Sequence, residues 1–300
     1  MISPDLLLDS HAILGEGPFW HPRLQRLFWV DIEGHAVHDT DPATGRDVAI
    51  PVAEQVGCAV PAGNHLLLLA LRSGFAALDL DTSRRVHVVD PEHHLPDNRF
   101  NDGKCDPAGR LWAGTMDVSE APGRGALYCL GTTLRATCRV GGVSISNGLA
   151  WTADAKTMYF VDSPERCVYA YDFDAASGDI DRPRVAWEVP AGWGFPDGMA
   201  IDADDCLWLA LWDGFKVVRL DPSSGRVVDE IAMPVARPTS CAFGGAGLRD
   251  LYVTSASVGL TPEQLAAQPH AGGVFVCRPG VAGTPTVEFG GAAALERLFD

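Results

Sequence analysis

The chain has 300 residues, 47% of them hydrophobic and 21% charged, which makes it globular rather than disordered and long enough to bury a sizeable core. A formal net charge of −16 argues against binding to nucleic-acid backbones or anionic membranes, and it suits retention of a cation. No apolar run reaches the ~18 residues of a spanning helix, and Met1–Leu14 lacks the basic and apolar regions of a signal peptide.

The eight cysteines form no C-x-x-C pair, and most sit in apolar, strand-like runs. There a reduced Cys acts as a small hydrophobe. Free thiols and the absence of a signal segment point to a cytoplasmic protein.

Along the chain, six units repeat a hydrophobic strand, a polar turn and a second strand. They are Leu27–Ile50, Leu66–Val89, Leu111–Val140, Met158–Val189, Leu207–Met233 and Leu251–Phe289. Successive units start about 40–50 residues apart, the period of a four-stranded propeller blade. Runs such as Leu27-Phe28-Trp29-Val30 and Met158-Tyr159-Phe160-Val161 are apolar, aromatic and β-branched, as strands are. The turns Asp41–Gly45, Asp106–Gly109 and Asp221–Gly225 combine Asp, Pro and Gly. Asp caps its own backbone, Pro presets φ and Gly accepts a positive φ. Only Thr261–Gln268 reads as a short helix. Each unit alone would expose an apolar face that a closed ring buries. The expected fold is therefore all-β: a six-bladed β-propeller in one domain spanning residues 1–300. The Leu6–Ile13 region and a Pro285–Phe289 strand are expected to share a blade and lock the ring.

Four segments stand out in phase with the units: Gly15-Glu16-Gly17, Phe100-Asn101-Asp102-Gly103, Ser146-Asn147-Gly148 and Pro196-Asp197-Gly198. Each reads as a turn entering a strand, with an oxygen-bearing side chain beside a glycine. Asn101, Asn147 and Asp197 are one blade apart, and Glu16 lies two blades before Asn101. Equivalent positions of a ring face the same axis, so Glu16, Asn101, Asn147 and Asp197 should converge in the central channel. They are read as three metal ligands and one substrate contact. Oxygen donors suit Ca²⁺, Mg²⁺ or Mn²⁺ and also accept Zn²⁺ or Fe²⁺. Three protein ligands leave positions open, as at a catalytic metal.

Other groups have plainer readings. No H-E-x-x-H motif accompanies His35 and His38. His93 and His94 beside Glu92 read as a solvated loop, and Asp172-Phe173-Asp174 as a strand-end turn. Trp29, Trp112, Trp208 and Trp212 read as blade core rather than sugar platforms, with the channel mouth within reach of Trp212 as the lesser reading.

The segments Leu14–Trp20, Asn98–Lys104, Ala113–Met116, Gly125–Tyr128, Ser146–Leu149 and Pro196–Met199 resemble the regucalcin/gluconolactonase family of sugar-lactone hydrolases. The resemblance implies a six-bladed propeller with one divalent metal in the channel. It assigns the metal to Glu16, Asn147 and Asp197, the sugar hydroxyls to Arg99 and Asn101, and the general base to Asp197. The family's acidic sugar contact, three positions after the G-T-M segment, is Ser119 here, with Asp117 and Glu120 nearby.

The expected activity is metal-dependent opening of an aldonolactone, such as gluconolactone or a pentonolactone, to the aldonic acid. The alternatives are a non-catalytic calcium-binding regulator, or a hydrolase of other esters or phosphotriesters on the same metal. The partner is a small sugar lactone, and the protein is expected to be a monomer or weak homo-oligomer.

Overall fold

The structure is a computed structural model that describes residues 2–300. It holds six antiparallel four-stranded sheets arranged as the blades of a six-bladed β-propeller. Blade 6 begins with the chain itself, at β1 (Asp5–Leu8). Blade 1 is β2 (Gly15–His21), β3 (Arg26–Asp31), β4 (Ala36–Asp41) and β5 (Arg46–Pro51). Blade 2 is β6 (Val56–Ala62), β7 (Leu66–Leu71), β8 (Gly74–Asp79) and β9 (Arg85–Val89). Blade 3 is β10 (Asn98–Cys105), β11 (Leu111–Asp117), β12 (Gly125–Leu130) and β13 (Ala136–Val143). Blade 4 is β14 (Ser146–Trp151), β15 (Thr157–Asp162), β16 (Cys167–Asp174) and β17 (Asp179–Glu188). Blade 5 is β18 (Phe195–Ile201), β19 (Leu207–Trp212), β20 (Lys216–Asp221) and β21 (Arg226–Ala232). Blade 6 ends with β22 (Pro238–Gly244), β23 (Asp250–Ser255) and β24 (Val274–Cys277).

The expected units start at the second strand of each blade, because that strand carries the strongest apolar signal. In β7, all six residues of Leu66–Leu71 are buried. Leu66, Leu68 and Ala70 pack against blade 3, while Leu67, Leu69 and Leu71 pack against blade 1. A strand covered on both faces reads as a continuous apolar run, whatever its alternation. The same division sends Leu207, Leu209 and Leu211 toward blade 4, and Trp208 and Ala210 toward blade 6. The apolar clusters occupy the seams between neighbouring blades, so the core is a ring of wedges around the axis.

The ring closes differently from the sequence expectation. β1 pairs with β24, so the N-terminal strand does complete the last blade. Pro285–Phe289, however, forms no strand. Pro285 lacks an N–H, and the segment leaves blade 6 to cross the lower mouth of the channel. Ala203 N donates to Ala282 O (2.9 Å) and Thr284 N to Ile201 O (3.3 Å), both on the blade 5 side. On the far side Phe289 N donates to Pro61 O at 2.8 Å, and the Phe289 ring is buried between blades 2 and 3.

A helix α1 (Pro262–Ala267) forms where expected, with a capping box between Thr261 and Gln264. A second, α2 (Ala292–Glu296), places Leu295 in the blade 2–blade 3 seam. Trp29, Trp112 and Trp208 are fully buried. Trp212 is half-buried at the end of β19, where the Arg237 guanidinium lies 4.7 Å from its ring centre. The cysteines are all free. Among the described residues, no helix is long and apolar enough to cross a membrane.

Candidate active site

The innermost strand of every blade carries a register shift at the same height. In β10 it falls between Phe100 and Gly103, in β14 between Ser146 and Leu149, and in β18 between Pro196 and Met199. The matching shifts lie between Glu16 and Phe19 in β2, Val56 and Cys58 in β6, and Pro238 and Cys241 in β22. A bulge of this kind bends its strand and re-aims a side chain. Asn101, Asn147 and Asp197 are each the first residue inside their bulge. Glu16 is one position earlier in its own strand and has the longer side chain.

This corrects the reading of these segments as turns. Asn147 and Asp197 lie within strands, and the glycines after them serve close packing rather than a positive φ. A Cβ on Gly148 would sit 2.7 Å from Asp197 O, and one on Gly198 would sit 2.1 Å from Ser240 Oγ. Only glycine lets neighbouring inner strands approach this closely.

Hydrogen bonds link the bulges of blades 3, 4 and 5. Arg99 Nη1 donates to Asn101 Oδ1 (2.7 Å) and to Phe100 O (3.0 Å). Asn101 Nδ2 donates to Ser146 O (2.7 Å) and to Asn147 Oδ1 (3.1 Å). Asn147 Nδ2 donates to Ser163 Oγ (2.8 Å), and Ser163 Oγ donates to Pro196 O (2.6 Å), the residue before Asp197. Because the Ser163 hydroxyl spends its proton on Pro196 O, it accepts from Asn147. That fixes the amide nitrogen toward Ser163 and turns Asn147 Oδ1 toward Asn101.

Glu16, Arg99, Asn101, Asn147 and Asp197 are only 4–7% exposed. Glu16 Oε2 accepts from Gly17 N at 2.9 Å. Burial, then the nearby Asp102 carboxylate, pushes the Glu16 carboxyl up to about 8, against the pull of Gly17 N–H and Arg99. Burial, then Glu16 and Asp102, holds Asp197 well above the usual carboxylate range. Burial also raises Asp102, opposed by Lys104 and the Gly103 N–H. Burial lowers Arg99, while Glu33, Glu16 and Glu120 oppose that shift.

None of these three carboxylates is in a direct ion pair among the described residues, although Arg99 acts on Glu16 and Lys104 on Asp102 from further away. Such a cluster of buried acids is costly unless protonated or fully neutralised. The donor set therefore fits a divalent cation. Among the described residues no group of three or more His, Cys, Asp or Glu side chains is placed to hold a metal ion. A metal here would need the amide oxygen of Asn147 beside the carboxylates of Glu16 and Asp197.

Several members of this layer went unread in the sequence. Asp102 and Lys104 lay inside a segment already singled out, but only the packing of inner strands reveals that Asp102 is buried and Lys104 half-buried. Ser163 lies in the connection after β15, and its role depends on blade 5. Glu92 belongs to the loop expected to be solvated. His93 and His94 are exposed there, but Glu92 is buried. It accepts from Asn98 Nδ2 (2.9 Å), Thr115 Oγ1 (3.0 Å) and Tyr128 OH (3.0 Å), anchoring the start of β10 next to Arg99. Asp117 holds its own turn, accepting from Ser119 N at 2.8 Å and pairing with Arg124 at 3.2 Å. Glu120 is near enough to Arg99 to oppose the lowering of its pKa by burial.

The model of the SMP-30/Gluconolactonase/LRE-like region matches residues 14–257. A Bacillus subtilis protein provisionally named sugar lactone lactonase YvrE is 35% identical over 283 residues, covering 94% of this chain and 97% of that protein. Regucalcin of Gallus gallus is 39% identical over 286 residues, covering 93% and 95%. The crystal structure of a calcium-binding protein, regucalcin, from Agrobacterium tumefaciens superposes with a TM-score of 0.92. It is 27% identical and the match covers 96% of this chain and 97% of that one. A propeller whose bulge layer gathers Glu16, Asn147 and Asp197, matched along nearly its whole length by these proteins, belongs to the SMP-30/gluconolactonase/LRE-like family.

Proposed function

We propose that this protein is a metal-dependent hydrolase that opens a sugar lactone to its aldonic acid. The observation that carries the reading is the bulge layer: carboxylates from blades 1 and 5 and an amide from blade 4, with no cation paired to them. Glu16, Asn147 and Asp197 would hold one divalent ion, whether Ca²⁺, Mg²⁺, Mn²⁺, Zn²⁺ or Fe²⁺. When bound, that ion supplies Lewis acidity to the lactone carbonyl.

The remaining roles fall to the chain. Arg99 and Asn101, already bonded to each other, orient the ring hydroxyls and convert binding into positioning. Asp197 accepts a proton from the attacking water. A lactone is an activated ester, so no nucleophilic Ser or Cys is required. Glu120 lies near Arg99 and offers the acidic contact to a hydroxyl that Ser119 does not. The 300 residues work as one domain, and the free thiols favour a cytoplasmic setting.

The relatives' names support lactone chemistry and calcium binding, and turnover separates the two. The deciding experiment presents a panel of aldonolactones, simple esters and a phosphotriester to protein loaded with each of the five metals. Preferential hydrolysis of lactones supports the reading. Tight calcium binding without turnover would replace it with a regulatory role, and preference for the phosphotriester would move it to another ester class.

A further inference from the structure

Directly below the bulge layer, a single ammonium group crosses the channel. Lys104 lies on β10, three residues after Asn101. Its Nζ donates to Met199 O, on β18 two residues after Asp197, at 2.5 Å. The side chain thus reaches from blade 3 to blade 5, past blade 4. Lys104 and Met199 both follow the bulges of their strands, so both ends of this bond lie beneath the candidate ligands. Burial lowers the pKa of Lys104, and Asp102, one residue after Asn101, is close enough to oppose that shift in part. Asp102 also acts on Glu16 and on Asp197.

Lys104 and Asp102 form a floor. Above it stand Glu16, Asn101, Asn147 and Asp197. Below it lies a cavity of about 430 Å³, bordered by Phe19, Val60, Trp151, Ile201, Phe243 and Val287. The lower wall offers no other charged group near the site, so Lys104 is the one cation on that side among the cavity-lining residues.

We infer that Lys104 is an electrostatic positioning residue that trades metal affinity for electrophilic strength. This rests on the reading that Glu16, Asn147 and Asp197 hold a divalent ion. Whatever the total charge of the site, the Lys104 ammonium makes it one unit more positive. The loaded site is the more electron-poor for it, and it better stabilises the negative charge that gathers on the lactone carbonyl oxygen. Without Lys104 the ion would be held more tightly, and that growing charge would be less stabilised.

The test compares wild type with Lys104→Met, which keeps the apolar stem and removes the charge. Calcium and manganese affinities are read by titration calorimetry on metal-stripped protein, and kcat at saturating metal and lactone. Lys104→Met should bind the ion about tenfold more tightly and turn over about tenfold more slowly. Opposed changes of this kind do not arise from loss of packing, which weakens both. If Lys104→Met fails to fold, Lys104→Gln gives the same reading. Unchanged or weaker binding in a folded variant overturns the inference, as does unchanged or faster turnover. Wild type and Glu16→Gln titrated alongside test the underlying reading. If wild type binds no divalent ion, or Glu16→Gln binds as well as wild type, the ligand assignment fails first and takes the inference with it.

Discussion

The Asn101 side-chain nitrogen donates to the Asn147 side-chain oxygen at 3.1 Å, joining the bulges of two adjacent blades. The candidate substrate residue and the candidate metal ligand are therefore held by one bond. Neither amide is free to flip. Arg99 fixes Asn101 from one end and Ser163 fixes Asn147 from the other.

Ser163 should matter for metal binding although it offers the ion nothing. In Ser163→Ala the Asn147 amide loses the acceptor that orients it. Metal affinity should fall roughly 10-fold, within the range for partners of metal-bound side chains. Ser163→Thr retains a hydroxyl and should recover most of it. Calorimetry on the stripped protein decides, and unchanged affinity in Ser163→Ala would show that Asn147 needs no such support.

Arg99 and Asn101 should divide from the metal ligands in their phenotype. Arg99→Ala should raise KM or lower kcat/KM by about 10-fold or more while metal content stays at the wild-type level. Metal analysis and kinetics on the same sample separate the two effects. Loss of the ion from a folded Arg99→Ala protein would place Arg99 among the supports of the ligands instead.

Asp197 is assigned two tasks, and Asp197→Asn separates them. The amide keeps the shape and one ligand oxygen but cannot take a proton. Metal binding should weaken only partly, whereas kcat at saturating metal should fall by about 10²-fold or more. Recovery of near wild-type kcat once the ion is saturating would leave Asp197 as a ligand alone.

The buried carboxyls make stability depend on pH in an unusual direction. Glu16 is held at about 8 when the ordinary value is 4.5. As pH rises from about 4.5 to about 8, the unfolded chain gives up this proton before the folded protein does. The folded state then binds more protons, so the metal-free protein loses stability across that window and levels off above it. Asp197 acts in the same sense. Metal binding needs the ionised forms, so it should release protons below about pH 8 and offset the loss. Thermal melts of stripped protein between pH 5 and 8 should show Tm falling more steeply in wild type than in Glu16→Gln. Equal slopes would mean that Glu16 ionises normally.

The blades were legible because their second strands are covered on both sides. The unbroken apolar run of Leu66–Leu71 marks a buried strand by itself, and the recurrence of such runs fixes the period. The bulge layer was legible by position, since Asn101, Asn147 and Asp197 recur in phase. Its local form was not. An Asn-Gly pair is commonest in turns, and only the neighbouring blade explains why Gly148 and Gly198 must lack a Cβ. Ser163 and Lys104 stayed hidden for the same reason. Each acts across a boundary between blades, on Pro196 O and Met199 O, and nothing in their own sequence neighbourhood marks that reach. The Pro285–Phe289 segment misled in the opposite way. Its alternation suits a strand, but no free sheet edge awaits it once β1 has taken the place beside β24.

That pairing also sets an order of events during synthesis. β1 leaves the ribosome long before its partner Val274–Cys277, which is made after blades 1 to 5. Until then the outer edge of the last blade does not exist, and the first four-residue strand has nowhere to dock. Blades 1 to 5 can stack as they emerge, but the axis they surround stays open on one side. Glu16 comes from blade 1 and Asp197 from blade 5, so these two carboxylates meet at their final spacing only when the seam shuts. An ion bound between them would then act as a clasp on the finished circle, resisting the unzipping of the earliest strand from the latest.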